Sequence, residues 1–153
     1  MEINLSIDKT NSLLLELQAE YKYDCTYWIP LKNTSMKHKY LFLPSDNILS
    51  YQRQIEQFIK LNESKFYLTG EIGYIEPSKC WMQEVDDINL EYGPIEFFYF
   101  GKKLDWCIYI SHESTITFCG DDLITFIKKL LGDSNLQSRL PDDIDSRLFE
   151  VSG

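Results

Sequence analysis

Residues 94–132, PIEFFYFGKKLDWCIYISHESTITFCGDDLITFIKKLLG, hold the densest run of apolar and aromatic side chains in the chain. Three short runs of β-forming residues are followed at once by a segment with helical spacing. In a strand successive side chains point to opposite faces. Between 106 and 112, Trp106, Ile108, Ile110 and His112 therefore share one face, and Cys107, Tyr109 and Ser111 share the other. Both faces are apolar at the start, which marks an inner strand covered on two sides. Residues 95–100 supply the preceding strand and 115–119 the following one. Glu113-Ser114 stands where a tight turn belongs, and the Gly101-Lys102-Lys103 connection offers a glycine for the positive φ that short hairpin loops often need. Gly120 breaks the third strand. Asp121 or Asp122 can cap the helix and place negative charge at its positive end. Leu123, Ile124, Ile127, Leu130 and Leu131 form its buried stripe, Lys128 and Lys129 suit its last turn, and Gly132 suits its C-terminus.

The remainder of the chain reads as further parts of the same domain. Thr10 or Asn11 can cap a helix through about Tyr21, with Leu13, Leu14 and Leu17 on its apolar face. Residues 23–31 are aromatic and interrupted by Pro30, which suits an edge strand or extended connection, and 32–39 suit a loop. A short strand at 40–43 is stopped by Pro44. A second helix over about 48–61 has Ile48, Leu49, Ile55, Phe58 and Ile59 as its core face. Residues 65–69 and 72–75 read as strands. The expected fold is α+β: an antiparallel sheet of about four to six strands, with two or three helices packed on it, ending in a β-meander and a C-terminal amphipathic helix. Residues 1–132 form a single domain in this reading, and 133–153 form a polar acidic tail, loose or docked. A chain of 153 residues buries roughly two-thirds of its unfolded surface, so it needs neither disulfide nor metal to hold together.

Charge is distributed unevenly. Residues 1–70 carry eight acids and eight bases, and 97–153 carry nine acids and six bases; residues 71–96 carry seven acids against Lys79 alone. Six of the nine net negative charges thus fall in one stretch, EIGYIEPSKCWMQEVDDINLEYGPIE. The same stretch holds Tyr74, Trp81, Met82 and Tyr92 among Glu84, Asp86, Asp87 and Glu91. Aromatic and methionine side chains provide contact area, and carboxylates around them steer a basic partner. These eight residues are the candidate partner-binding set, and the expected partner is a basic protein. The competing reading makes the charges a solvated face and the aromatics ordinary core. No basic stripe with interleaved aromatics is present, so nucleic acid is not an expected partner. The apolar runs are too short to span a bilayer, and MEINLSIDKT carries acids where a secretory signal carries bases. The cytoplasm is the expected compartment, with Cys25, Cys80, Cys107 and Cys119 as reduced thiols.

Catalytic patterns are sparse. Ser111-His112-Glu113 places three triad-type residues side by side, but neighbours on a strand point to alternate faces and cannot converge. His112 with one of the cysteines could form a thiol–imidazole pair. Glu84, Asp86 and Asp87 lack the spacing of a calcium loop, and two histidines with scattered cysteines give no zinc spacing. No phosphate-binding or dinucleotide-binding glycine motif occurs, and no cofactor is expected.

Residues 105–120, DWCIYISHESTITFCG, followed by an amphipathic helix, resemble the ending of small bacterial α+β proteins that include immunity proteins of polymorphic-toxin and contact-dependent systems. Such proteins are small, acidic, cytoplasmic and free of cofactors, and they bind a basic nuclease toxin by occupying its active site. Leu43-Pro44 also stands before a helix as the Leu-Pro of the SUKH immunity superfamily does, although the Asn-Gly-Gly loop of that superfamily has no counterpart. The resemblance implies a non-enzymatic acidic protein-binding domain that neutralises a basic toxin. The alternative is a small thiol- or carboxylate-dependent enzyme using His112 with a cysteine.

Overall fold

The computed structural model describes residues 3–21, 39–70, 80–91, 97–111, 114–132 and 150–152. Strands β1 (Ile3–Asn4), β2 (Lys39–Pro44), β3 (Lys65–Gly70), β4 (Cys80–Glu84), β5 (Phe97–Phe100), β6 (Cys107–Ile110), β7 (Thr115–Cys119) and β8 (Glu150–Ser152) pair into one sheet in the order β1-β4-β3-β5-β6-β7-β2-β8. Every pairing is antiparallel. Helices α1 (Ile7–Tyr21), α2 (Gln52–Lys60) and α3 (Asp121–Leu131) complete the α+β architecture.

Strand β6 is the inner strand its two apolar faces require, lying between β5 and β7 with all four residues buried. Alternation divides the sheet's side chains between two cores. Trp106, Ile108 and Ile110 join Leu68, Tyr99, Ile116 and Phe118 beneath α2 and α3, whose Ile55, Ile59, Leu123, Ile124, Ile127 and Leu131 complete that layer. Cys107 and Tyr109 point the other way, with Phe98, Phe100, Cys80 and Cys119, against Leu13 and Leu17 of α1. The two helices on the first face meet through Phe58 and Phe126, whose rings stack at 4.3 Å.

Several details differ from what the sequence alone suggests. Among the described residues the sheet has eight strands rather than four to six, because two short edge strands join it. One is β1, and the other is β8, which draws the end of the polar 133–153 segment onto β2. Helix α1 starts before Thr10: Ser6 Oγ accepts from the Lys9 N–H at 3.2 Å, and Thr10 itself is buried. A hydroxyl one turn earlier can receive that otherwise orphaned N–H, so the helix extends back to it. Residues 45–51 form two 3-10 turns ahead of a shorter α2 instead of its first turns. The cap of α3 is Gly120, with Asp121 and Asp122 in its first turn. The positive φ in the β5–β6 connection belongs to Leu104 (57°), not to Gly101. The strand expected at 72–75 and the segments 23–31 and 32–38 lie outside the described residues.

Because β6 is covered on both sides and Ile108 has no exposed surface, Ile108→Ala should cost about 2–5 kcal/mol through lost burial and the cavity left behind. Equilibrium urea unfolding measures it. A midpoint equal to that of the wild type would contradict the inner placement of the strand.

Candidate functional site

Three separated segments converge at one end of the α2–α3 layer. The first is the end of α2 and the turn after it, with Phe58, Ile59 and Glu63. The second is the β5–β6 connection, with Lys103, Asp105 and Trp106. The third is the start of α3, with Asp121, Asp122 and Leu123. Together they line a cleft of about 500 Å³.

A single carboxylate fixes the back of this cleft. Glu63 N–H donates to Ile59 O at 3.1 Å, which ties the residue to the end of α2. Its Oε1 accepts from the Lys102 backbone N–H at 2.9 Å, and its Oε2 accepts from the Trp106 indole N–H. Both donors belong to the β5–β6 connection, so one side chain pins that hairpin to the helix layer. The indole lies over Gly101. A Cβ at that position would collide with Trp106 Nε1 and come within 2.8 Å of Glu63 Oε2. Space, rather than backbone freedom, is therefore what selects glycine at 101.

The opposite wall is set at Gly120, whose φ is 108° and whose Cβ, if present, would stand 2.5 Å from Asp105 O and 3.0 Å from Trp106 Cα. This close approach brings the first turn of α3 against the start of β6. Asp121 and Asp122, at the positive end of the helix, then line the cleft together with Asp105, while Glu63 stands at its back. Phe58, Ile59, Trp106 and Leu123 add apolar surface to the lining, in which Lys103 is the single cation among the described residues.

The residues singled out from the sequence are placed differently. Tyr74 and Tyr92 lie outside the described residues, as does His112. Trp81 stands in β4, half-buried and packed against the core beneath α2. Met82 is on the other face of β4, between Ile3 and Tyr67 in register. Glu84 pairs with Lys65, its cross-strand partner, at 3.7 Å, and Asp86 pairs with Lys60. The hydrogen bond that Lys60 donates to Asp86, ahead of the Coulomb attraction, holds the Lys60 ammonium above its ordinary pKa. Asp87 is exposed in the same 3-10 turn, and Glu91 is exposed with its N–H on Asn89 Oδ1. The described part of the acidic stretch is thus a strand and a turn, with two carboxylates answered by lysines. The cleft, by contrast, gathers carboxylates from 63, 105 and 121–122. No local pattern in the sequence announces it, apart from two acids at the head of α3.

Among the described residues, no three His, Cys, Asp or Glu side chains are grouped so as to hold a metal ion, and no helix is long and apolar enough to cross a membrane. Cys80, Cys107 and Cys119 are buried thiols that form no disulfide. Compared with protein families, curated proteins and solved structures, the chain finds no match.

Gly101→Ala should destabilise the protein by about 1–3 kcal/mol, because the added methyl displaces the indole. Glu63→Ala should cost about 1–3 kcal/mol by leaving the buried indole N–H unpaired, and Glu63→Gln less, since one oxygen still accepts. Thermal unfolding of the three variants tests this; stability unchanged in both alanine variants would remove the carboxylate from its anchoring role.

Proposed function

We propose that the chain is a non-enzymatic acidic domain that binds a basic protein, of the toxin-neutralising kind that its resemblance to immunity proteins implies. The observation that carries the reading is the cleft: among the described residues its lining sets apolar side chains beside the exposed carboxylates of Asp105, Asp121 and Asp122, with Lys103 as the cation. Apolar surface supplies contact energy, and the exposed carboxylates beside it attract a lysine or arginine. The overall formal charge of −9 adds long-range attraction for a basic partner. The described acids of the 71–96 stretch, Glu84, Asp86, Asp87 and Glu91, offer the same partner a second contact.

The enzyme alternative draws less support. A nucleophilic thiol needs a lowered pKa and access. Cys107 has neither: burial, reinforced by the hydrogen bond to Cys119, pushes its pKa well above the ordinary thiol range. Both Glu63 oxygens are occupied by N–H donors, which is the arrangement of an anchor rather than of an acid or base in transit.

The test pairs this protein with the C-terminal domain of the secreted protein encoded beside it, since an immunity gene sits directly behind its toxin gene. Neutralising Asp105, Asp121 and Asp122 together to asparagine should slow association on the order of tenfold at low salt and flatten its salt dependence, with little change in stability. Surface plasmon resonance across a salt series reads both. Should that triple variant associate like wild type while Glu84→Gln, Asp86→Asn and Asp87→Asn together slow the encounter, the docking face is the acidic stretch and not the cleft. Binding unaffected in both variants, or absent in wild type, would refute the reading.

A further inference from the structure

Two thiols that the proposed binding role does not use face each other across the central hairpin. Cys107 of β6 and Cys119 of β7 are direct cross-strand partners, both with no exposed surface, and their thiols are hydrogen-bonded. The register defines their separation. Ser111 N–H donates to Thr115 O at 3.0 Å, and hydrogen-bonded pairs recur at every second residue of an antiparallel ladder. Tyr109–Thr117 and Cys107–Cys119 are therefore also hydrogen-bonded pairs, with Cα atoms about 5.5 Å apart. That distance falls inside the roughly 4.4–6.8 Å range that a disulfide spans. The remaining described thiol cannot compete. Cys80 sits opposite Thr69, Thr69 opposite Phe98, and Phe98 opposite Tyr109. It lies three strands from β6, roughly 14 Å away at the usual strand spacing.

We propose that Cys107 and Cys119 form a redox-closable cross-strand pair, whose oxidation to a disulfide clamps together the two chain segments that meet at the Gly120 wall of the acidic cleft. Trp106 immediately precedes one thiol, and Gly120 with Asp121 immediately follows the other. The same segments already touch, since a Cβ on Gly120 would meet Asp105 O and Trp106 Cα. A covalent link one residue inward fixes that contact and, with it, the position of Asp121 and Asp122 relative to Asp105.

The oxidant is a small disulfide such as oxidised glutathione. In a transiently opened hairpin, the thiolate of one cysteine attacks a glutathione sulfur, breaking the glutathione disulfide and releasing one glutathione thiolate. The second cysteine's thiolate then attacks the protein sulfur of the mixed disulfide and releases the other glutathione. The protein loses two electrons and two protons, and the reagent leaves as two thiols. In the closed state burial keeps Cys107 protonated, so exchange proceeds through opening and accelerates as pH rises through the ordinary thiol range. The pair stands whether or not the cleft takes a basic partner.

The test incubates purified full-length protein in buffers of graded reduced-to-oxidised glutathione ratio without denaturant. Peptide mapping by mass spectrometry should show a Cys107–Cys119 link that grows with oxidant and disappears on return to reduced glutathione. Hydrogen exchange at residues 105–107 and 119–122 should slow on the order of tenfold in the linked form, while residues 65–70 stay unchanged. Cys119→Ser should abolish both effects. Glutathione retained as an adduct on either cysteine, a link formed only in denaturant, exchange equal in both redox states, or slowing that persists in Cys119→Ser would each overturn the proposal.

Discussion

A strand that is apolar on both faces has to be covered twice, and β6 sets this requirement for the whole molecule. Its Ile108 and Ile110 face α2 and α3, and its Cys107 and Tyr109 face α1. Among the described residues three helices therefore divide between two sides of one antiparallel sheet, an arrangement that buries both faces of β6. Burial on each side favours the fold by roughly 25 cal/mol per Å² of apolar surface removed from water. Once both faces are committed, polar chemistry is confined to the ends of the layers. The cleft lies at such an end, where α2 stops, α3 starts and the β5–β6 connection turns.

The sequence revealed most where partners in space are also neighbours along the chain. The β5–β6–β7 meander and α3 were legible because alternation, turn chemistry and the helical stripe of Leu123, Ile124 and Ile127 fall within forty residues and agree. Strand β4 was obscured. Its Trp81 and Met82 occupy opposite faces and Glu84 carries a charge, so neither period-two contrast nor a continuous apolar run stands out. The edge strand β8 was invisible because three residues at a margin are held mainly by backbone hydrogen bonds, which composition does not report. The site was illegible for a different reason. Glu63 looks like an ordinary polar residue after a helix, and its meaning lies in two donors that arrive some forty positions later.

The same contrast separates the two acidic regions. In the 71–96 stretch charge is dense along the chain, yet Lys60 and Lys65 lie against two of its carboxylates. In the cleft Glu63, Asp105 and the Asp121-Asp122 pair are far apart in sequence, and the density exists only after folding. Coulomb interaction follows distance in space, so counting charges along a chain locates an excess but not the field it makes.

The order of strands also has a consequence for how the chain reaches this state. Strand β2 is made early but lies between β7 and β8, with Tyr40 opposite both Cys119 and Val151. Neither partner exists until most of the chain has been synthesised. Until then Leu41 and Leu43, which end with no exposed surface, have no sheet to enter. The meander and α3, built from contacts close in sequence, can assemble while β2 waits, and its insertion carries the largest loop-closure entropy in the fold. Among the described pairings the β2–β8 seam thus spans the longest stretch of sequence, joining the sheet across far more of the chain than any pairing within the meander does.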